Sequence, residues 1–182
     1  MRKAAPRKLA REELIQYALR ALGSRALSAG EVRTKLSRRA AEPSDIDPVL
    51  EKLKEYGFLN DEQFAESFAT IRRDSGIAGA QRVLRDLRTR RVGAAVAEEA
   101  VSGAFQDVDE AVSIRNWLAR KYRTKNLKEY LSEDKHLASV YRKLRYAGFA
   151  SSPITRVLKE FTSRASVIED DDLMEDTDPV ST

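Results

Sequence analysis

Seven arginines fall within a short span of this chain, at Arg72, Arg73, Arg82, Arg85, Arg88, Arg90 and Arg91. A guanidinium group is permanently charged and offers five N–H donors in a planar fork that matches paired phosphate or carboxylate oxygens. Arg82, Arg85 and Arg88 are three apart, which on a helix makes a slowly drifting ridge beside the apolar Val83, Leu84 and Leu87. Two other stretches repeat the composition: Arg33, Lys35, Arg38 and Arg39, then Arg142, Lys143 and Arg145. The chemistry implied is binding of a polyanion, in which neutralised phosphates release counterions and affinity falls with salt. The competing reading is a solubilising surface, with some arginines paired to Asp74 or Asp86.

Catalytic chemistry is poorly represented. There is no phosphate loop of the form GxxxxGK[ST] and no nucleophile beside a base. Glu62 and Glu66 stand one helical turn apart, as an acid–base pair would, but on a charged helix such pairs are usually solvated. His136 is the single histidine and cysteine is absent, which excludes disulfides and argues against a transition-metal site. Asp170-Asp171-Asp172 lies in a stretch of disorder-like composition. A non-enzymatic protein without cofactor or metal is expected. Trp117 adjoins Leu118 in a helical pattern and is assigned to the core rather than to base stacking, while Tyr122, Tyr130 and Tyr141 stay open between the two.

Charge is uneven over the 182 residues. Seven acidic and no basic residues lie in 165–182, leaving 33 basic against 22 acidic elsewhere, a net of +11 on the body against +4 for the whole. A basic body of this kind suits a polyanionic partner. No apolar run approaches the ~18 residues of a membrane span. The basic start MRKAAPRKLAR lacks the apolar core of a secretory signal. A cytoplasmic protein without a membrane partner is expected.

The elements that must carry these cations read as helices throughout. Residues 1–10 form a flexible basic arm. A helix over 11–24 places Ile15, Leu19 and Leu22 inward, the same four-three spacing as Phe64, Phe68 and Ile71. Ser28 and Glu31 make a capping box for a helix through Arg39. A third helix buries Ile46, Val49, Leu50 and Leu53, starting either at an Asp47 cap with Pro48 first or a turn earlier at Ser44. Gly57 ends it and Asn60 caps the next. Further helices are expected over 61–74, 79–90, 94–104, 107–123 and 137–147, the last preceded by a polar insertion at 124–135. A final helix runs from a Ser152 cap, with Pro153 first, to about Arg164. No stretch alternates with period two.

A repeat runs through these helices. Apolar residues follow Leu36 at offsets of 10, 13, 14 and 17, as Ile46, Val49, Leu50 and Leu53. From Leu144 the same offsets give Ile154, Val157, Leu158 and Phe161, and from Leu87 they give Ala97, Ala100, Val101 and Ala104. Val32, Val83 and Val140 stand four before the anchors. A period near 50 residues predicts an all-α array of three tandem three-helix, helix-turn-helix-like units at 11–58, 59–105 and 106–164. Stacked units of that size predict an elongated, curved shape with flexible termini, the arm 1–10 and an acidic, disordered tail 165–182.

The run Tyr56-Gly57-Phe58-Leu59-Asn60-Asp61-Glu62-Gln63-Phe64-Ala65-Glu66-Ser67-Phe68, then Arg72, Gly79-Ala80-Gln81-Arg82-Val83 and Leu87, resembles the core signature of the RecX family. Ser28, Glu31, Val32, Lys35 and Leu36 fit it upstream, and Leu144-Arg145-Tyr146-Ala147-Gly148-Phe149 fits more loosely. The chain departs from it at Arg91, where members often carry glycine, and in its acidic tail. The resemblance implies tandem three-helix units and a regulator that binds the filament of the recombinase RecA on single-stranded DNA, inhibiting its ATPase and strand exchange. With the basic stretches above it makes Arg33, Lys35, Arg38, Arg39, Arg72, Arg73, Arg82, Arg85, Arg88, Arg90, Arg91, Arg142, Lys143 and Arg145 the expected contacts to DNA or RecA. A monomer is expected, for no heptad seam or extra dimer helix is present. The rival reading is a helix-turn-helix transcription regulator placing a basic second helix in the major groove of duplex DNA.

Overall fold

A computed structural model describes residues 7–166. Among them the chain is all-α, with ten helices and no strand. They are α1 Arg11–Ser24, α2 Ala29–Ser37, α3 Ile46–Glu55, α4 Asp61–Ser75, α5 Ala80–Thr89, α6 Ala94–Phe105, α7 Glu110–Lys121, α8 Leu127–Tyr130, α9 Asp134–Tyr146 and α10 Ser151–Leu158. Contacts divide the chain into two compact units. The first comprises Met1–Thr70 and Leu84–Gly103, the second Ile71–Val83 and Ala104–Thr182.

The first unit is centred on α1, α2 and α3, which pack on one another. The Ser28 hydroxyl accepts from the Glu31 N–H at 3.1 Å and the Glu31 carboxylate accepts from the Ser28 N–H at 3.2 Å, so both halves of the expected capping box are made. Helix α3 starts at neither expected cap. A short 3-10 turn at Pro43–Asp45 leads into it, which puts Pro48 inside the first turn, where its missing N–H costs nothing. Ile46, Val49, Leu50 and Leu53 are buried as expected.

Two inward faces are turned by one position. In α1 the buried residues are Leu14 and Ala18, with Ile15, Leu19 and Leu22 partly buried beside them. In α4 they are Ala65 and Ala69, while Phe64 and Phe68 lie half-buried and Ile71 is exposed. Small side chains let a helix approach its neighbour closely, and the large ones then flank the contact. The end of the expected arm is held to the first unit at Leu9. Leu9 is buried, its N–H donates to the Arg39 carbonyl at 2.7 Å, and its carbonyl accepts from Ala41 at 2.9 Å. Residues 1–6 lie outside the described residues.

In the second unit α10 packs on α7 and α9 around Ile114, Leu118, Leu137, Tyr141, Leu144, Ile154 and Leu158. The insertion at 124–135 is not wholly polar in role: it holds α8, capped by Asn126, and Leu131, which is fully buried. Helix α7 is shorter than expected because the Asp109 side chain caps it, accepting from the Ala111 N–H at 2.8 Å. Helix α10 begins at Ser151 and stops at Leu158, not at Arg164. A 3-10 turn at Ser163–Ser166 follows and seats Ala165 in the core, so the acidic tail begins later than expected. Residues 167–182 lie outside the described residues.

The repeat positions share one fate. Leu36, Leu87 and Leu144 are fully buried, as are Val32, Val83 and Val140 or nearly so, and the residues at offsets 10, 13 and 14 are buried in all three cases. Helices α3, α5 and α9 also end alike. Gly57, Arg91 and Gly148 have φ of 73°, 63° and 91°. The next residue donates back to Leu53, Leu87 and Leu144 at 2.8, 3.2 and 3.2 Å. This is the Schellman termination, which needs a left-handed residue just past the helix. It explains why glycine is the economical choice at position 91.

Candidate functional site

The basic residues expected to make contacts separate by what already holds them. In the first unit several are committed within the fold. Arg90 is half-buried: its guanidinium lies over Phe64 and Phe68 at 5.7 and 5.0 Å from the ring centroids and faces Glu31 at 3.5 Å. Its carbonyl accepts a short bond from the buried Ser28 hydroxyl. Burial pulls the Glu31 carboxyl upward. The Arg25 hydrogen bond, the Ser28 N–H and the charges of Arg25 and Arg90 outweigh it and hold the group below its ordinary value.

Arg91 places its Cβ and carbonyl where a side chain at Gly30 would sit. Arg39 lies over the Tyr17 ring at 5.4 Å. Arg33 bonds to Asp47, and Arg88 to Glu98 at 2.9 Å, both at exposed positions where such pairs are weak and exchange readily with a stronger anion. Lys35 is half-buried, and Arg38 and Arg85 are exposed.

In the second unit Arg73 donates to Asp74 at 2.8 Å and to the Ala104 carbonyl at 3.1 Å. Arg72 is half-buried, and Arg145 donates to the Phe149 carbonyl at 3.2 Å. Arg82, Arg142 and Lys143 are brought together. With Lys121, Trp117 and Tyr146 they line a cavity of about 570 Å³, all of it within this unit. Arg82 Cζ lies over the Tyr146 ring at 4.9 Å and Lys121 Nζ over the Trp117 ring at 4.9 Å.

The backbone that positions Arg82 is fixed by glycine. The Gly79 N–H donates to the Ala147 carbonyl at 2.8 Å and the Gln81 N–H to the Gly148 carbonyl at 3.3 Å. A Cβ on Gly148 would collide with Arg82.

Lys121 and Tyr146 were not among the expected contacts. The signal for them was the spacing of four from Trp117 to Lys121 and from Arg142 to Tyr146, which puts each cation and ring on one helix face. Trp117 belongs to the core as expected, and so do Tyr122 and Tyr141, with Tyr130 partly buried against them. His136 stacks on Tyr130 at 4.1 Å, near the start of α9. Among the described residues no cluster of His, Cys, Asp or Glu could hold a metal ion, and no helix is long and apolar enough to cross a membrane.

Comparison with known proteins meets this geometry from another side. The family model described as RecX, first three-helix domain, matches residues 15–53. Regulatory protein RecX of Deinococcus radiodurans is 32% identical over 87% of this chain and 73% of its own length. That of Syntrophotalea carbinolica is 28% identical over 79% and 92%. Two solved structures share the fold. The crystal structure of RecX from Lactobacillus salivarius aligns with a TM-score of 0.62 at 18% identity, over 83% of this chain and 96% of that one. A further crystal structure of regulatory protein RecX gives 0.64 at 20%, over 82% and 71%. The match to the first relative extends far beyond the matched domain, over most of the chain, and on that ground the chain belongs to the RecX family of regulatory proteins.

Proposed function

We propose that this protein binds the RecA filament on single-stranded DNA and inhibits its ATPase and strand exchange. The observation that carries the reading is the exposed cationic set on α2, α5 and α9 in a chain of the RecX family. Arg38, Arg85, Arg142 and Lys143 are exposed, and the weak pairs of Arg33 and Arg88 give way to phosphate at little cost. The three-unit division at 11–58, 59–105 and 106–164 belongs to the same reading. Successive modules each make modest contacts along a filament and multiply into high apparent affinity. The strand is held without sequence preference and releases with salt. The protein acts as a cytoplasmic monomer without cofactor.

The test compares duplex DNA, bare single strand and RecA-coated strand side by side at two salt concentrations. Preference for the coated strand, with affinity falling as salt rises, supports the proposal. Sequence-specific duplex binding would instead make the protein a transcription regulator.

A further inference from the structure

The cavity of the second unit combines one sign of charge with aromatic rings. Four cations line it, Arg82, Lys121, Arg142 and Lys143, and no carboxylate does. Two aromatic rings share the lining, each with a cation over it. Tyr146 is 70% exposed, whereas Tyr122 and Tyr141 are buried. An apolar ring left in water at the rim of a cationic hollow gains free energy by covering itself with another flat π system, and the cations around it select one that carries phosphate. The volume of about 570 Å³ falls among small-ligand sites, which span roughly 300–1,000 Å³.

We propose that this hollow is a nucleotide subsite for single-stranded DNA. One unstacked base lies on Tyr146, and the flanking phosphates are held by Lys121, Arg142 and Lys143. Arg82, stacked on the same ring, fixes its orientation. Duplex DNA is the poorer occupant because its bases are already stacked on one another. Stacking on a tyrosine is tolerant of sequence because every base has a π face. The inference rests on the filament-binding reading and assigns the strand-contacting part of it to α7, α9 and the first turn of α5.

The chain has a single tryptophan, Trp117, and it forms part of the cavity wall, so its fluorescence reports occupancy directly. The full-length protein is titrated with a short oligothymidylate and with an abasic oligomer of equal length. The thymidylate should quench Trp117 and bind on the order of tenfold more tightly than the abasic strand. Tyr146→Ala should abolish that preference and Tyr146→Phe should keep it, and circular dichroism should show both folded. Arg142→Gln with Lys143→Gln should weaken both oligomers alike and lower the salt slope by about 1.4.

Equal binding of the two oligomers, no quench, or an unchanged Tyr146→Ala would overturn the subsite. So would a Tyr146→Ala defect confined to RecA-coated strand, which would make the hollow a protein-binding surface. If the wild type prefers coated strand while these results fail, the subsite falls and the filament reading stands. If quenching occurs without any effect on RecA, the subsite stands and the filament reading falls.

Discussion

Two joints in the molecule use the same repeat positions with different residues. In the first unit the start of α2 meets the end of α5. In the second unit the start of α5 meets the end of α9. Ser28 and Gly79 stand eight residues before their anchors, and their partners Arg90 and Ala147 stand three after theirs. Gly30 and Gln81 stand six before, facing Arg91 and Gly148 at four after. Backbones approach so closely that one side must lack a Cβ. At the first joint the missing Cβ is on α2, at Gly30, and Arg91 accepts a left-handed backbone. At the second both sides lack one: Gly79, where a Cβ would meet the Gly148 carbonyl, and Gly148, where a Cβ would meet Arg82 and which also takes the left-handed backbone cheaply. The difference places Arg90 and Arg91 in the joint of the first unit, where their backbones meet Ser28 and Gly30.

That comparison can be broken in order of size. Gly148→Ala combines a left-handed alanine with a collision against Arg82, and should lower unfolding free energy by about 3 kcal/mol or more in urea titration. Gly57→Ala, also left-handed but facing open space, should lose only about 1 kcal/mol, which isolates the collision. Gly30→Ala should cost about 1–3 kcal/mol, and adding Arg91→Gly should recover part of it, with a coupling of about 1 kcal/mol in a double-mutant cycle. Additive effects would show that the two residues do not share the contact. Ser28→Ala removes the cap and the bond to the Arg90 carbonyl and should cost about 1–2 kcal/mol in the same assay. Arg91→Gly alone should stabilise by about 0.5–1 kcal/mol, read as a raised thermal midpoint.

The smallest effect is on pH dependence. The Glu31 carboxyl is held below its ordinary value, so its contribution to stability is present at neutral pH and above the unfolded value near 4.5. That contribution disappears as pH falls through the lower folded value. Stability of Glu31→Gln against pH should therefore be flatter than wild type below about pH 5.

Much of the fold was legible because large apolar residues mark a helical array at fixed offsets, and Leu36, Leu87 and Leu144 are where such an array needs them. What escaped was set by small residues and by tertiary contact. Ala18, Ala65 and Ala69 are buried because they permit close approach, yet they weigh little in a periodic pattern dominated by Phe64 and Phe68. The two phenylalanines are instead covered by Arg90, a long-range contact no local pattern encodes. Leu131 in a polar stretch and the early stop of α10 at Leu158 were hidden for the same reason. Of the cations, their number and helices were readable. Which ones share a hollow depended on tertiary packing, so that Lys121 joins Arg82, Arg142 and Lys143 in one lining while Arg90 lies against Glu31 and the phenylalanines.

The central claim, that the basic helices act on a RecA nucleoprotein filament, meets its most direct test in the ATPase of RecA on single-stranded DNA, titrated with this protein and with its Arg82→Glu, Arg85→Glu, Arg88→Glu variant. The wild type should suppress turnover in proportion to its concentration and the variant should suppress it far less. An ATPase indifferent to the wild type, or inhibited equally by both, would contradict the account.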